Sequence, residues 1–96
     1  MDGLAEPMRI VWTEDLKYRA ALRGFDLRTL ESIVRSSSER YHDAETGRTV
    51  VVGRHDKRLV VIPCDVHGDI ITPMTVHAIT RHQIRFRLRT GRFGHA

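Results

Sequence analysis

The chain has 96 residues, 41% hydrophobic and 29% charged, and its 16 Lys+Arg against 12 Asp+Glu leave a formal charge of +4. That length suits one domain with one modest core and excludes a multidomain enzyme. No apolar run approaches the ~18 residues of a membrane span, and a lone cysteine, Cys64, excludes an internal disulfide.

The N-terminus, Met1–Met8, carries Asp2 and Glu6 and lacks an apolar stretch, so no secretory signal is expected and the cytoplasm is the expected compartment. Residues 1–7 read as disordered. Arg9-Ile10-Val11-Trp12 reads as a short strand that stops at Thr13, a good N-cap. Glu14 and Asp15 then suit the positive end of a helix running to Arg23 and stopping at Gly24. A second helix starts from Asp26, with Phe25 and Leu30 placed as a hydrophobic staple. Its apolar set, Leu27, Leu30, Ile33 and Val34, lines one face, and Ser36-Ser37-Ser38 breaks it.

From Glu39 the period changes from helix to strand. Four runs follow, Glu39–His42, Thr49–Val52, Leu59–Cys64 and Asp69–His77, separated by short links with turn chemistry. Such links are too short for a parallel crossover, so the spacing predicts an antiparallel meander. Pro63 and Pro73 cannot donate to a ladder and mark an edge, a bulge or a strand end. Cys64, inside an apolar run, reads as core. The expected fold is α+β: two N-terminal helices, a curved antiparallel meander of four to five strands, and a basic C-terminal helix in a single domain.

Charge is concentrated at the end of the chain. Ile79–Ala96 holds Arg81, Arg85, Arg87, Arg89 and Arg92 with no acid, whereas the preceding residues are nearly balanced. A local cationic block on a small chain points to phosphate, as in RNA or DNA, or to an acidic partner. Thr80 as N-cap and Gln83 three residues on form a capping box, and Gly91 supplies a stop. On that helix Arg81, Arg85 and Arg89 make one stripe, and Ile84 with Leu88 defines the docking face. A fifth strand is the alternative, since Ile84, Phe86 and Leu88 alternate with arginines; the capping signals favour the helix. Residues 93–96 read as a tail.

No metal site is expected: the six histidines offer no paired spacing and the cysteine has no thiolate partner. Phosphate-loop and acyl-transfer motifs are also missing, and no cofactor is called for. A cationic surface with histidines instead suits metal-independent RNA cleavage, which needs a base, an acid and cations on the phosphate. If the strands pair in order, the ends of the second and fourth point the same way. His55 and Arg54 would then gather with His77, Arg81 and Arg85 at one rim. Each has a plainer reading: His77 as a structural histidine, His55 as an exposed turn residue, and Arg54 and Arg58 as partners of Asp56. Trp12 and Tyr18 offer either base stacking or core. Arg81 and Arg85 stand out because no carboxylate in their segment neutralises them.

Several local phrases resemble one family. Trp12-Thr13-Glu14-Asp15, the helix end Leu22-Arg23-Gly24-Phe25, the hairpin Asp43–Arg48 leading to Val51-Val52-Gly53-Arg54, and Ala78-Ile79-Thr80-Arg81 before a basic helix are together similar to BrnT-type toxins. The resemblance spans roughly Ile10–Arg89. It implies a RelE-like fold and a ribonuclease toxin of a type II toxin–antitoxin pair, acting on RNA and silenced by a cognate antitoxin protein, as a homo-oligomer or a hetero-oligomer with that antitoxin. It carries over Lys17 on the first helix, Arg54 at the strand end, and Arg81 and Arg85 on the last helix. Val76-His77-Ala78 stands where the family has Ser-Ala-Arg, Gln83 where it has Glu, and Phe86 where it has Tyr. Proton transfer would then fall to His77 and His55 beside Arg81, with Arg54, Arg85, Arg89 and Lys17 holding phosphate. Without chemistry, the same stripe would serve a nucleic-acid- or partner-binding module.

Overall fold

The computed structural model describes residues 8–96; the reading of residues 1–7 lies outside the described residues. Ten elements follow in order: β1 (Arg9–Ile10), α1 (Glu14–Leu22), α2 (Leu27–Ser36), β2 (Arg40–Asp43), β3 (Thr49–His55), β4 (Arg58–His67), β5 (Ile70–Pro73), β6 (His77–Ala78), α3 (Arg81–Arg89) and β7 (Phe93–His95). The architecture is α+β, with three helices on a seven-stranded mixed sheet ordered β1-β5-β4-β3-β2-β7 and β6 paired to β4.

Helix boundaries follow local chemistry. Thr13 accepts from the Leu16 N–H and Asp26 from the Thr29 N–H, capping α1 and α2. Gly24, at φ 75°, ends α1 in the left-handed conformation that costs glycine little. At α3 the expected capping box is complete: Thr80 accepts from the Gln83 N–H, and the Gln83 side chain accepts from the Thr80 N–H.

The sheet is covered on both faces, which explains the continuous apolar run in β4. Val51, Val60, Ile62, Cys64 and Ile71 meet Ala20 of α1 and Leu30, Ile33 and Val34 of α2 on one face. Val50, Val52, Leu59 and Val61 meet Ile84 of α3, Ile79 and Phe93 on the other. Successive strand residues thus enter opposite cores, and both must be apolar. Each large side chain so buried contributes about 1.5–3 kcal/mol. Ile84 and Leu88 pack inward, as the docking face requires, while Phe86 stays exposed. Trp12 packs half-buried against the first core, and Tyr18 is exposed.

Gly53 sets how closely α2 approaches the sheet. A Cβ at that position would lie 2.5 Å from Ile33 Cγ2, so any side chain forces helix and strand apart.

Three expectations need correction. The sheet is not a pure antiparallel meander: β1 pairs in parallel with β5 (Arg9↔Ile70, Ile10↔Ile71), because two helices and the strands β2 to β4 lie between them and provide the long connection a parallel pair needs. Residues 93–96 do not form a tail. Phe93–His95 adds an edge strand to β2, with Tyr41 and Phe93 rings stacked at 5.6 Å and Arg92 bridging to buried Asp43. The fourth run also divides in two. Two residues of β4, Ile62 and Pro63, separate Cys64↔Pro73 from Val61↔His77, against three on the opposing edge, so one extra residue bulges beyond Pro73.

Candidate functional site

The ends of β3 and β6 and the start of α3 surround a shallow recess of about 350 Å³, lined in part by Arg54, Lys57, Leu59, Thr80 and Arg81. β3 and β6 run the same way beside β4, so the strand-end logic brings Arg54 and Arg81 to one rim. Among the described residues Arg54 donates only to the Lys57 carbonyl, at 3.3 Å, and it stays exposed. Arg58 also reaches this rim, but its guanidinium is committed to the Arg23 and Gly24 carbonyls and lies 4.2 Å from the Phe25 ring centroid.

Arg81 is not the free cation that its segment suggests. Its Nη1 meets Oε2 of Glu39 at 2.5 Å, and the Tyr41 hydroxyl donates to the same oxygen at 2.7 Å. Glu39 lies one residue before β2, where its carbonyl still accepts from the Val52 N–H, and Tyr41 is two residues on, so both side chains are on the side that α3 covers. The Arg81 hydrogen bond holds the Glu39 carboxyl below its ordinary value against partial burial, and the Tyr41 bond adds to it. Burial first, then the Glu39 hydrogen bond and charge, push the Tyr41 phenol up to about 12. The result is an ionised carboxylate between a guanidinium and a protonated phenol. Glu39 Oε1 accepts no hydrogen bond among the described residues. Sequence reasoning missed both Glu39 and Tyr41. The available signal was their spacing of two, which puts a carboxylate and a phenol on the same side of an extended segment.

The histidines do not join this cluster. His55 lies on the opposite face, 5% exposed, where its Nε2 accepts from the Asp26 N–H at 2.7 Å and its ring stands edge-on to Phe25 at 5.2 Å. That bond requires the proton on Nδ1, which has no hydrogen-bond partner among the described residues; Asp56 Oδ2 is 3.7 Å away. His55 is therefore a buried residue that helps cap α2, not an exposed turn residue, and Asp56 does not pair with Arg54 or Arg58. His77 is exposed on β6, with Nδ1 3.5 Å from Arg23 Nη1 and Nε2 3.4 Å from Thr75 Oγ1. Partial burial, then Arg23, Arg19 and Arg87, push it below the ordinary histidine value. Lys17 is on α1, in the layer across the sheet from α3, and pairs with Glu14 at 2.6 Å.

No protein-family model, curated protein or solved structure matches the chain.

Arg85 and Arg89 are exposed on α3, and among the described residues neither has a carboxylate within ion-pair distance. Arg89 lies 5.8 Å from the exposed Phe86 ring. Arg92 is taken by Asp43 and Glu45. No group of three or more metal-ligating side chains occurs among the described residues. None of their helices is long and apolar enough to cross a membrane.

Proposed function

We propose that this domain binds RNA along α3 and cleaves it at the β3–β6 rim without a metal, as the toxin of a type II toxin–antitoxin module would. The single observation that carries the reading is the Glu39–Arg81–Tyr41 cluster, whose Arg81 lines the same recess as Arg54. It offers a carboxylate as base and cations for the phosphate, while Arg85 and Arg89 extend the cationic surface along the helix. In the reaction, Glu39 takes the 2′-OH proton and the 2′ oxygen attacks the adjacent phosphorus. The bond to the 5′ oxygen breaks, and that oxygen leaves with a proton from water. Arg81 and Arg54 bear the charge added to the phosphate, the term that dominates such electrostatic catalysis. The products are a 2′,3′-cyclic phosphate and a 5′-hydroxyl. A RelE-like fold, a cytoplasmic site of action and an antitoxin that covers the α3 arginines with acidic side chains belong to the same reading.

A second reading, a nucleic-acid- or partner-binding module without chemistry, is favoured by one observation. Neither His55 nor His77 faces Arg81, so the rim lacks the acid–base histidine pair expected from the sequence. Total RNA incubated in EDTA with wild type and with Arg81→Ala separates the two. Fragmentation by wild type alone supports cleavage, whereas RNA bound and intact in both samples supports the binding module.

A further inference from the structure

A second recess, of about 280 Å³, lies between α3 and the β5–β6 edge, away from the strand-end rim. Val61 and Pro63 of β4 give it an apolar floor, Arg87 and Arg92 form the wall under the helix, and Thr75 and His77 form the wall at the edge. Its polar groups differ in how free they are. Arg92 is held by Asp43, and Arg48 nearby is held by Asp65 at 3.0 Å. Arg87 has no carboxylate partner among the described residues and lies 5.5 Å from the Phe93 ring centroid. At the opposite wall, the charged groups facing His77 are Arg19 and Arg23 from α1 and Arg87 from α3, all of them cations.

An apolar floor with a few convergent polar groups is the usual make-up of a small-molecule site. The charged groups here are cations, apart from an Asp43 already neutralised by Arg92, and the Thr46 and Thr75 hydroxyls can donate. The ligand should therefore be part apolar ring and part anion, and the volume, near the low end of the roughly 300–1,000 Å³ typical of ligand pockets, admits one such unit. We propose that the recess binds a single nucleoside monophosphate unit, its base against Val61 and Pro63 and its phosphate between Arg87 and the Thr75–His77 wall. The unit is either a free nucleotide or one nucleotide of an RNA strand. In the second case the inference rests on the RNA-binding reading and deepens it, placing one nucleotide beside α3 rather than at the rim.

The test is NMR of the His77 ring in the full chain, titrated with uridine monophosphate, uridine, inorganic phosphate and a single-stranded oligoribonucleotide. The monophosphate should move the His77 resonances and raise the histidine's pKa, because the bound anion offsets the surrounding arginines. Uridine and inorganic phosphate should each bind about tenfold more weakly, since each supplies half of the interactions. Arg87→Ala should weaken the monophosphate about tenfold, and Thr75→Val, which keeps the shape and removes the hydroxyl, should also weaken it. Arg28→Ala, exposed on α2 across the sheet from α3, should leave it unchanged. An oligoribonucleotide that moves the same resonances, with an Arg87-dependent affinity, assigns the recess to a strand; a response to the monophosphate alone assigns it to a free nucleotide. The proposal is overturned if His77 does not respond to the monophosphate, if inorganic phosphate binds as tightly, or if Arg87→Ala changes nothing. A chain that binds the monophosphate and leaves RNA intact contradicts cleavage and not this site. Cleavage that survives with a silent His77 contradicts this site and not cleavage.

Discussion

Nη1 of Arg81 and Oε2 of Glu39, 42 positions apart in the chain, meet at 2.5 Å where α3 begins against the edge of β2. The pairing changes what the basic segment is. Arg81 is half of an ion pair whose other half, Glu39, is the proposed base, whereas Arg85 and Arg89 have no carboxylate partner among the described residues.

Salt should report the free arginines. Removing one arginine that neutralises a phosphate of single-stranded RNA lowers the slope of log affinity against log salt by about 0.7. Arg85→Ala and Arg89→Ala should each reduce the slope by about that amount in filter binding, and the double variant by about twice as much. Lys17→Ala, on the far side of the sheet and paired with Glu14, should leave the slope unchanged.

His55 is expected to matter for stability and not for chemistry. His55→Ala leaves the Asp26 N–H without its acceptor and opens a space beside Phe25. Losing that hydrogen bond at an exposed cap costs about 0.5–1.5 kcal/mol, and the space left beside the ring adds to it. Urea denaturation should show that destabilisation, while RNA cleavage per folded molecule stays at the wild-type level.

Gly53→Ala should cost about 1–3 kcal/mol, the usual range for overpacking. The Cβ collides with Ile33, so trimming Ile33 to Ala in the same chain should recover part of that stability. A double-mutant cycle on thermal unfolding measures the coupling; additive effects would contradict the close approach.

Acid should loosen the β2 side of the sheet. Burial raises the Asp43 carboxyl, but Arg92 and the N–H groups of Glu45 and Thr46 more than offset it, leaving it below its ordinary value. Glu39 is lowered as well, first by Arg81. A carboxyl lowered on folding stabilises the fold above its unfolded-state value and loses that contribution as pH falls through its folded value. Stability should therefore decline below the usual carboxylate range, and Asp43→Asn should flatten that decline in a pH series of denaturation curves.

Much of the fold was legible because its local signals agree. The Thr13, Asp26 and Thr80 caps, the Gly24 stop and the apolar run Leu59–Cys64 each specify local structure within a few residues. What escaped depends on long-range closure. Phe93–His95 has too few residues to announce a strand, and it becomes one through Asp43, which holds Arg92 from 49 positions away. Parallel pairing of β1 with β5 is equally invisible to link lengths in the meander. At the site, strand direction correctly brought Arg54 and Arg81 to one rim. It failed for His55 because residues 54 and 55 point to opposite faces, and the face, not the strand end, decides what a side chain meets. Glu39 stayed hidden because its partner is on the last helix.

The most direct test is the cleavage of one single-stranded oligoribonucleotide in EDTA by wild type and by Glu39→Gln, with the product ends identified. Wild type should give 2′,3′-cyclic phosphate and 5′-hydroxyl ends. Glu39→Gln should be about 10²- to 10⁴-fold slower, the usual contribution of a general base, with RNA affinity largely kept. Equal rates in the two proteins would contradict Glu39 as the base, and intact RNA in both would contradict the ribonuclease reading itself.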